Sequence, residues 1–235
     1  MNILLVGYGK MGKAIEEILI ERGHNISGRL NRKPESEDLK NVDVAIEFSK
    51  PEVAFDNISI LLQNGIPTLS GTTGWTTRID EIKQLNQKNE TAFLYASNFS
   101  LGVNLFFELN EHLARLMASY PEYKTEIEEI HHTQKIDKPS GTAISLAHQI
   151  IENSAYQKWE SDLKSTEDSL PIYSKRTDAV PGTHTVRYHS EIDDIEITHT
   201  AHSRKGFAFG AVLAAEWIYG KKGFFSMKDV LNIRN

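Results

Sequence analysis

Within twelve residues, His131-His132-Thr133-Gln134-Lys135-Ile136-Asp137-Lys138-Pro139-Ser140-Gly141-Thr142 gathers two imidazoles and two ammonium groups, then enters a turn followed by apolar residues. The chain as a whole is acidic, with 32 Asp and Glu against 26 Lys and Arg, so this stretch inverts the local charge. Ile127 and Ile130 precede it, and Ile144, Leu146, Ala147 and Ile150 follow at helical spacing, which predicts strand, loop, helix. Residues 139–142 then fall at a helix N-terminus, where free backbone N–H groups and the helix dipole favour an anion. Lys135 and an imidazole beside that turn make a pocket for carboxylates with a proton donor at hand. The same residues also read as a capped helix after a polar loop.

A second set of chemistry-bearing residues lies at the start of the chain. Ile3-Leu4-Leu5-Val6 is a continuous apolar run of the kind buried in a parallel sheet, and Gly7-Tyr8-Gly9-Lys10-Met11-Gly12 follows at once. In G-x-G-x-x-G, the first glycine permits a tight turn. The second lets a pyrophosphate approach the backbone, and the third lets helix pack on strand. Ala14, Ile15, Ile18 and Leu19 mark the helix, Gly23 its end, and residues 25–30 a second strand, so a dinucleotide site is predicted. Such a strand often ends in an acid for the ribose 2′-OH. Here it ends Leu30-Asn31-Arg32-Lys33, where Arg32 and Lys33 suit a 2′-phosphate. NADPH is therefore expected to be preferred or at least accepted, with NADH possible.

The elements that position these residues follow in order. Residues 42–48 read as a third strand, with Ser49 as N-cap, Pro51 in the first helical turn and Gly65 ending the helix. Residues 66–70 form a fourth strand running into Gly71-Thr72-Thr73-Gly74, residues 76–88 a helix, and residues 91–95 a fifth strand ending at Ala96-Ser97-Asn98-Phe99. Alternating strands and helices predict a doubly wound parallel sheet. Beyond Ser100, Leu105, Leu109, Leu113 and Leu116 share one helix face, read as a core stripe. Residues 123–132, 172–177, 183–189 and 192–198 are strand candidates, with a turn near Asp193-Asp194. Residues 154–170 read as surface helix or loop, and residues 206–219 and 227–233 as closing helices. The expected fold class is α/β: an N-terminal Rossmann-type parallel-sheet domain plus a smaller α+β domain with a mixed or antiparallel sheet.

Composition narrows the functions. A net charge of −6 argues against nucleic acid or an anionic membrane as partner, and no apolar run approaches the roughly 20 residues that span a bilayer. Zero cysteines exclude thiolate chemistry and fit a reducing compartment, and the chain opens directly on a strand, so no leader is expected and the location is expected to be cytoplasmic. Nine histidines invite a metal, yet there is no H-E-x-x-H and no cysteine, and no metal site is expected. Arg204 could orient a carboxylate or pair with an acid, and carries no assignment.

Residues 129–143, Glu129-Ile130-His131-His132-x-x-Lys135-x-Asp137-x-Pro139-Ser140-Gly141-Thr142-Ala143, resemble the signature of the 4-hydroxy-tetrahydrodipicolinate reductase (dihydrodipicolinate reductase) family of the diaminopimelate route to lysine. Supporting matches are Lys10-Met11-Gly12, Phe48-Ser49-x-Pro51, Gly71-Thr72-Thr73-Gly74, Ser97-Asn98-Phe99-Ser100-x-Gly102-Val103-Asn104 and Glu196-Ile197-Thr198-His199. The resemblance implies a dinucleotide-binding domain of residues 1–98 and 206–235, to which the last helices return, and a substrate-binding and oligomerisation domain of residues 99–205. It implies a homotetramer built through the second sheet. It makes His131 the proton donor and Lys135 a second catalytic cation, with His132, Ser140, Gly141 and Thr142 on a small dicarboxylate substrate. It places Gly7, Tyr8, Gly9, Lys10, Met11, Gly12, Arg32, Gly71, Thr72, Thr73, Ala96, Ser97, Asn98 and Phe99 on the cofactor. The chain departs from the family pattern at Val6, where a glycine is usual, and at Asn31, where an acid is usual. It is also short after Lys33.

Overall fold

The computed structural model describes every residue except 162–165, 167, 179, 204 and 234–235. The chain divides into two units, Met1–Leu101 with Lys205–Asn235, and Gly102–Arg204.

In the first unit the elements run β1 (Asn2–Val6), α1 (Lys10–Glu21), β2 (Asn25–Leu30), β3 (Val44–Glu47), α2 (Pro51–Gln63), β4 (Thr68–Ser70), α3 (Ile79–Lys88) and β5 (Ala92–Tyr95). Joined by β11 (Gly223–Phe225) from near the end of the chain, these five strands form a six-stranded sheet of order β11-β5-β4-β3-β1-β2, with every pairing parallel. Alternation along β1 decides the layers. Ile3 and Leu5 join Ile15, Leu19 and Val212 on one face, while Leu4 and Val6 join Ala45, Leu61 and Ile66 on the other. Each fully buried Leu, Ile or Val contributes roughly 1.5–3 kcal/mol. All strand carboxyl ends therefore share one edge of the sheet, and the loops that follow them are gathered there.

The second unit holds α4 (Leu101–Met117, from Gly102 on), β6 (Lys124–His131), α5 (Gly141–Glu152), β7 (Lys158–Ser161), β8 (Ser169–Arg176), β9 (Gly182–His189) and β10 (Asp194–Ala201). Its sheet runs β10-β9-β6-β8-β7, antiparallel at β10/β9/β6 and parallel at β6/β8/β7, hence mixed. Ile127, Ile172 and Val186 pack with Leu146, Ala147 and Ile150 of α5 and Phe106 of α4. The chain then returns to the first unit with α6 (Lys205–Ile218), β11 (Gly223–Phe225) and α7 (Met227–Val230).

Four expectations need correction. Ser49 does not cap α2: Lys50 holds the N-cap position, and the Ser49 hydroxyl donates to Glu47 instead. The leucine stripe of α4 is not core, because Leu105, Leu109 and Leu116 are at least half exposed. The neighbouring stripe of Val103, Phe106, Asn110 and Ala114 is buried instead, with the Asn110 amide donating to Leu146 O and Gln149 Oε1 at 3.2 and 2.9 Å. Two apolar stripes lie side by side on this helix, and periodicity cannot choose between them. Among residues 154–170, Lys158–Ser161 is a strand rather than helix or loop, paired to β8. Gly223–Phe225 adds a sixth parallel strand where only helices were expected. The expected turn near Asp193 is present, closed by Ser190 N donating to Asp193 O at 3.1 Å.

Candidate active site

The mixed sheet builds its site by alternation and register. Glu129 and His131 are two apart on β6 and so share the face that packs on α5. Antiparallel pairing sets His184 of β9 opposite Glu129, and parallel pairing sets Arg176 of β8 opposite His131. Glu129 is fully buried. Its Oε2 meets His131 Nδ1, and its Oε1 accepts from Arg176 Nη1 at 2.9 Å. Burial alone would push this carboxyl up, but the His131 hydrogen bond leads a set of partners that hold it at about 2. The carboxylate is therefore an acceptor only, so His131 Nδ1 carries the proton of that bond and Nε2 is the exchangeable nitrogen. A Cβ on Gly182 would stand 2.9 Å from His131 Nε2, so only glycine leaves that atom room.

His184 completes the cluster. Its ring stands edge-on to His131 with centroids 4.9 Å apart, and its Nε2 lies 3.0 Å from the Ser140 hydroxyl. Burial first, then the charge of His131, pushes this imidazole down to about 3, so it is neutral and Ser140 donates to it. Ser140 Oγ in turn accepts from Ala143 N at 3.2 Å, capping α5. Ser140, expected on the substrate, is 2% exposed and has both hydrogen bonds inside the protein. Gly141 and Thr142 begin α5 beside it, and a Cβ on Gly141 would meet nothing within 4 Å, so there is space beside the first residue of the helix.

The loop between β6 and α5 is pinned by the same Arg176, whose Nη2 donates to Asp137 O at 2.7 Å. Lys135 Nζ pairs with Asp137 Oδ1 at 2.8 Å and is about a quarter exposed. Burial pushes the Asp137 carboxyl up, but Lys135 and the backbone amides of Asp137 and Gly141 bring it below the usual range. His132 is half-buried, one residue past the strand, and its Nδ1 is buried without a partner. Glu129, His131 and His184 offer ligand atoms within 4.8 Å of one another. Arg176 already pairs with Glu129, and the Ser140 hydroxyl donates to His184. Arg204 lies outside the described residues.

The first unit carries the glycine loop. Gly7 has φ +94° and a Cβ there would fall 2.0 Å from Phe48 O, while a Cβ on Gly12 would fall 2.5 Å from Gly7 O. At Gly9 nothing lies within 4 Å, which leaves an approach for a pyrophosphate at the start of α1. A cleft of about 460 Å³ runs past Gly7, Gly9, Asn31, Arg32 and Phe48, and the residues present fit a dinucleotide. Tyr8 hydrogen-bonds Glu16 through its hydroxyl, Lys10 is exposed, and Met11 packs partly on the core. The loops after β3 and β4 are tied together by Glu47, which is fully buried. It accepts from Ser49 N at 3.0 Å, Ser70 Oγ at 2.6 Å and Thr72 Oγ1 at 3.0 Å, while Ser49 N also donates to Thr72 Oγ1 at 2.8 Å. Gly71 is forced by the Phe48 ring, 2.2 Å from a would-be Cβ, and Thr73 is exposed. Of residues 96–99, Phe99 is core, packed on Phe48 with centroids 5.6 Å apart, so only its backbone is available to a ligand. Asn98 Oδ1 accepts from Ser100 N, and Ala96 N donates to Ser70 O. Arg32 forks onto Asp38, at 2.7 and 2.8 Å.

Sequence reasoning missed Glu47, Arg176, His184 and Asp38. Glu129 and Ser49 stood inside quoted motifs without these roles. The signal for Glu129 was available in its i, i+2 spacing from His131. Glu47, Arg176 and His184 depend on cross-strand register, and Asp38 on the fold of the turn after Arg32.

Family models match both parts of the chain. The family model described as dihydrodipicolinate reductase, N-terminus, matches residues 1–99, and the one described as dihydrodipicolinate reductase, C-terminus, matches residues 102–231. A 4-hydroxy-tetrahydrodipicolinate reductase of Christiangramia forsetii is 54% identical over 99% of this chain and 98% of its own. One of Archaeoglobus fulgidus is 34% identical over 97% of this chain and 83% of its own. Among solved structures, dipicolinate-bound dihydrodipicolinate reductase from Paenisporosarcina aligns over all of both chains with a TM-score of 0.78 at 24% identity, a likeness of fold.

Proposed function

Because this chain belongs to the dihydrodipicolinate reductase family, we propose the following division of labour for the pyridine-nucleotide-dependent reduction of 4-hydroxy-tetrahydrodipicolinate to tetrahydrodipicolinate, in the diaminopimelate route to lysine. Gly7, Gly9 and Gly12 hold the pyrophosphate at the start of α1. Arg32 meets the adenosine ribose, and the loops of Gly71, Thr72 and Thr73 and of residues 96–99 hold the nicotinamide half. The chemistry supplied by a bound NAD(P)H is a hydride for the ring of the substrate.

The second unit binds and protonates. Gly141 and Thr142 donate backbone N–H groups to one substrate carboxylate at the N-terminus of α5, with Ser140 holding that terminus in shape. His132 contacts the other carboxylate or the ring. Lys135 exchanges Asp137 for a substrate carboxylate and stabilises charge. The 4-hydroxyl leaves as water, and once the hydride has formed a C–H bond on the resulting unsaturated cyclic imine, negative charge remains in the ring. His131 delivers the compensating proton from Nε2 while Glu129 holds Nδ1. Positioned acid catalysis of this kind contributes about 10²–10⁴-fold in rate.

The observation that carries this reading is the Arg176–Glu129–His131 chain, which fixes one nitrogen of the imidazole and leaves the other for transfer. The finer reading includes use of NADPH, with NADH possible, supported by Arg32 and Lys33 beside the cleft. A cytoplasmic location is supported by the absence of cysteine, and among the described residues no helix is long and apolar enough to cross a membrane. A homotetramer is supported by the sheet face opposite α5, where Glu126, Thr183, Thr185, Arg187, Glu196 and Thr198 are partly or fully exposed. The test is to generate the substrate in situ, add NADPH and the protein, and follow nicotinamide absorbance. Protein-dependent loss of absorbance that requires the cyclic substrate is expected. Oxidation of an amino acid or aldehyde instead, or binding without turnover, would overturn the proposal.

A further inference from the structure

We propose that Asp38 sets the cofactor preference of this reductase by competing with a 2′-phosphate for the Arg32 guanidinium. The inference rests on the reading of Arg32 as the residue that meets the adenosine ribose. Arg32 Nη1 and Nη2 donate to Asp38 Oδ2 and Oδ1 at 2.7 and 2.8 Å, a two-pronged fit of guanidinium to carboxylate. Nη1 also donates to Lys33 O at 3.0 Å, and the Glu35 carboxylate lies 3.6 Å away.

Asp38 is not a loose surface partner. Its Oδ2 accepts from Glu35 N at 2.8 Å, half of the capping box that closes the short helical turn Ser36–Leu39. Its side chain is 15% exposed, against 52% for Arg32, so the carboxylate is the fixed member of the pair and the guanidinium the movable one. Asn31 cannot stand in for it, because Asn31 Oδ1 already accepts from Tyr8 N at 2.8 Å. Lys33 faces Asp56 at 3.4 Å with both side chains well exposed, a pair that contributes little.

The consequence is a charge balance that the sequence order Arg32-Lys33 conceals. A 2′-phosphate must share Arg32 with a carboxylate or draw the guanidinium off it, and in either case it meets the negative charge of Asp38. A ribose hydroxyl meets no such repulsion. The native enzyme therefore discriminates narrowly between the two cofactors, and removing the Asp38 charge widens the preference toward NADPH.

The experiment is equilibrium binding of NADPH and NADH, read by nicotinamide fluorescence at fixed ionic strength, to the native protein, Asp38→Asn, Arg32→Gln and the double variant. Asp38→Asn is expected to raise the ratio of Kd(NADH) to Kd(NADPH) about tenfold, the size of one like-charge contact at the surface. That rise should be clearly smaller in the Arg32→Gln background, where only the direct repulsion remains, and kcat/KM ratios should move with the binding ratios. Asp38→Ser keeps an acceptor for the Glu35 amide and is read in the same way. A ratio within about twofold of native in both folded Asp38 variants, while Arg32→Gln lowers it, would overturn the proposal and leave the cofactor reading intact. An unchanged ratio in Arg32→Gln would overturn that reading and the proposal with it.

Discussion

Lowering the pH from 6.5 to 5 should destabilise the second unit by about 2 kcal/mol through His184 alone. The imidazole is 4% exposed and titrates at about 3 in the fold, against 6.5 as its ordinary value. Between those values the unfolded chain binds a proton that the folded chain refuses, so stability falls as pH falls, by about 1.4 kcal/mol per unit. The loss begins near pH 6.5 and ends near pH 3, reaching roughly 5 kcal/mol at most. Glu129 acts in a separate window. Its carboxyl lies at about 2 in the fold against 4.5, so the stability it contributes is complete above pH 4.5 and is lost as the pH falls toward 2. Above pH 4.5 the contribution of His184 is therefore separable from that of Glu129. The assay is urea unfolding of the native protein and of His184→Gln at several pH values from 7 to 5. Glutamine offers an oxygen to the Ser140 hydroxyl but does not titrate. The native protein should lose about 2 kcal/mol more than the variant over that range. Parallel curves, or a native protein that grows more stable toward pH 5, would refute the claim that His184 is held neutral against His131.

Other perturbations have defined outcomes. Ser140→Ala removes the cap of α5 and leaves His184 Nε2 unpaired, so a loss of about 2–4 kcal/mol is expected in urea unfolding, with a raised KM for the dicarboxylate. Glu47→Gln puts an amide donor among the Ser49, Ser70 and Thr72 hydroxyl donors; a cost of about 1–3 kcal/mol and weaker cofactor binding should appear in thermal melts and titrations. Gly210→Ala would set a Cβ 1.7 Å from Phe99 O, a backbone atom, so melting should show a loss beyond about 3 kcal/mol.

Periodicity and glycine placement made the parallel sheet legible: β1, α1 and β2 are marked by an apolar run, G-x-G-x-x-G and Gly23. Short apolar or mixed runs were less informative. Gly223–Phe225 is three residues long, and Lys158–Ser161 carries two charges, so neither shows a strand pattern by itself. Both depend on a neighbouring strand to pair with. Within the site, the His131 and Lys135 loop was legible because its residues are contiguous. Arg176 and His184 were not, since 45 and 53 residues separate them from His131 and only register brings them together. Ser49 shows the complementary failure: a good capping residue in sequence donates instead to the buried Glu47 carboxylate.

The central claim is that His131 supplies the proton. Its most direct test is single-turnover reduction by His131→Ala, with NADPH affinity measured in parallel. A loss of about a hundredfold or more in the chemical step is expected, with the Kd for NADPH within about twofold of native. A variant that turns over at the native rate would contradict it.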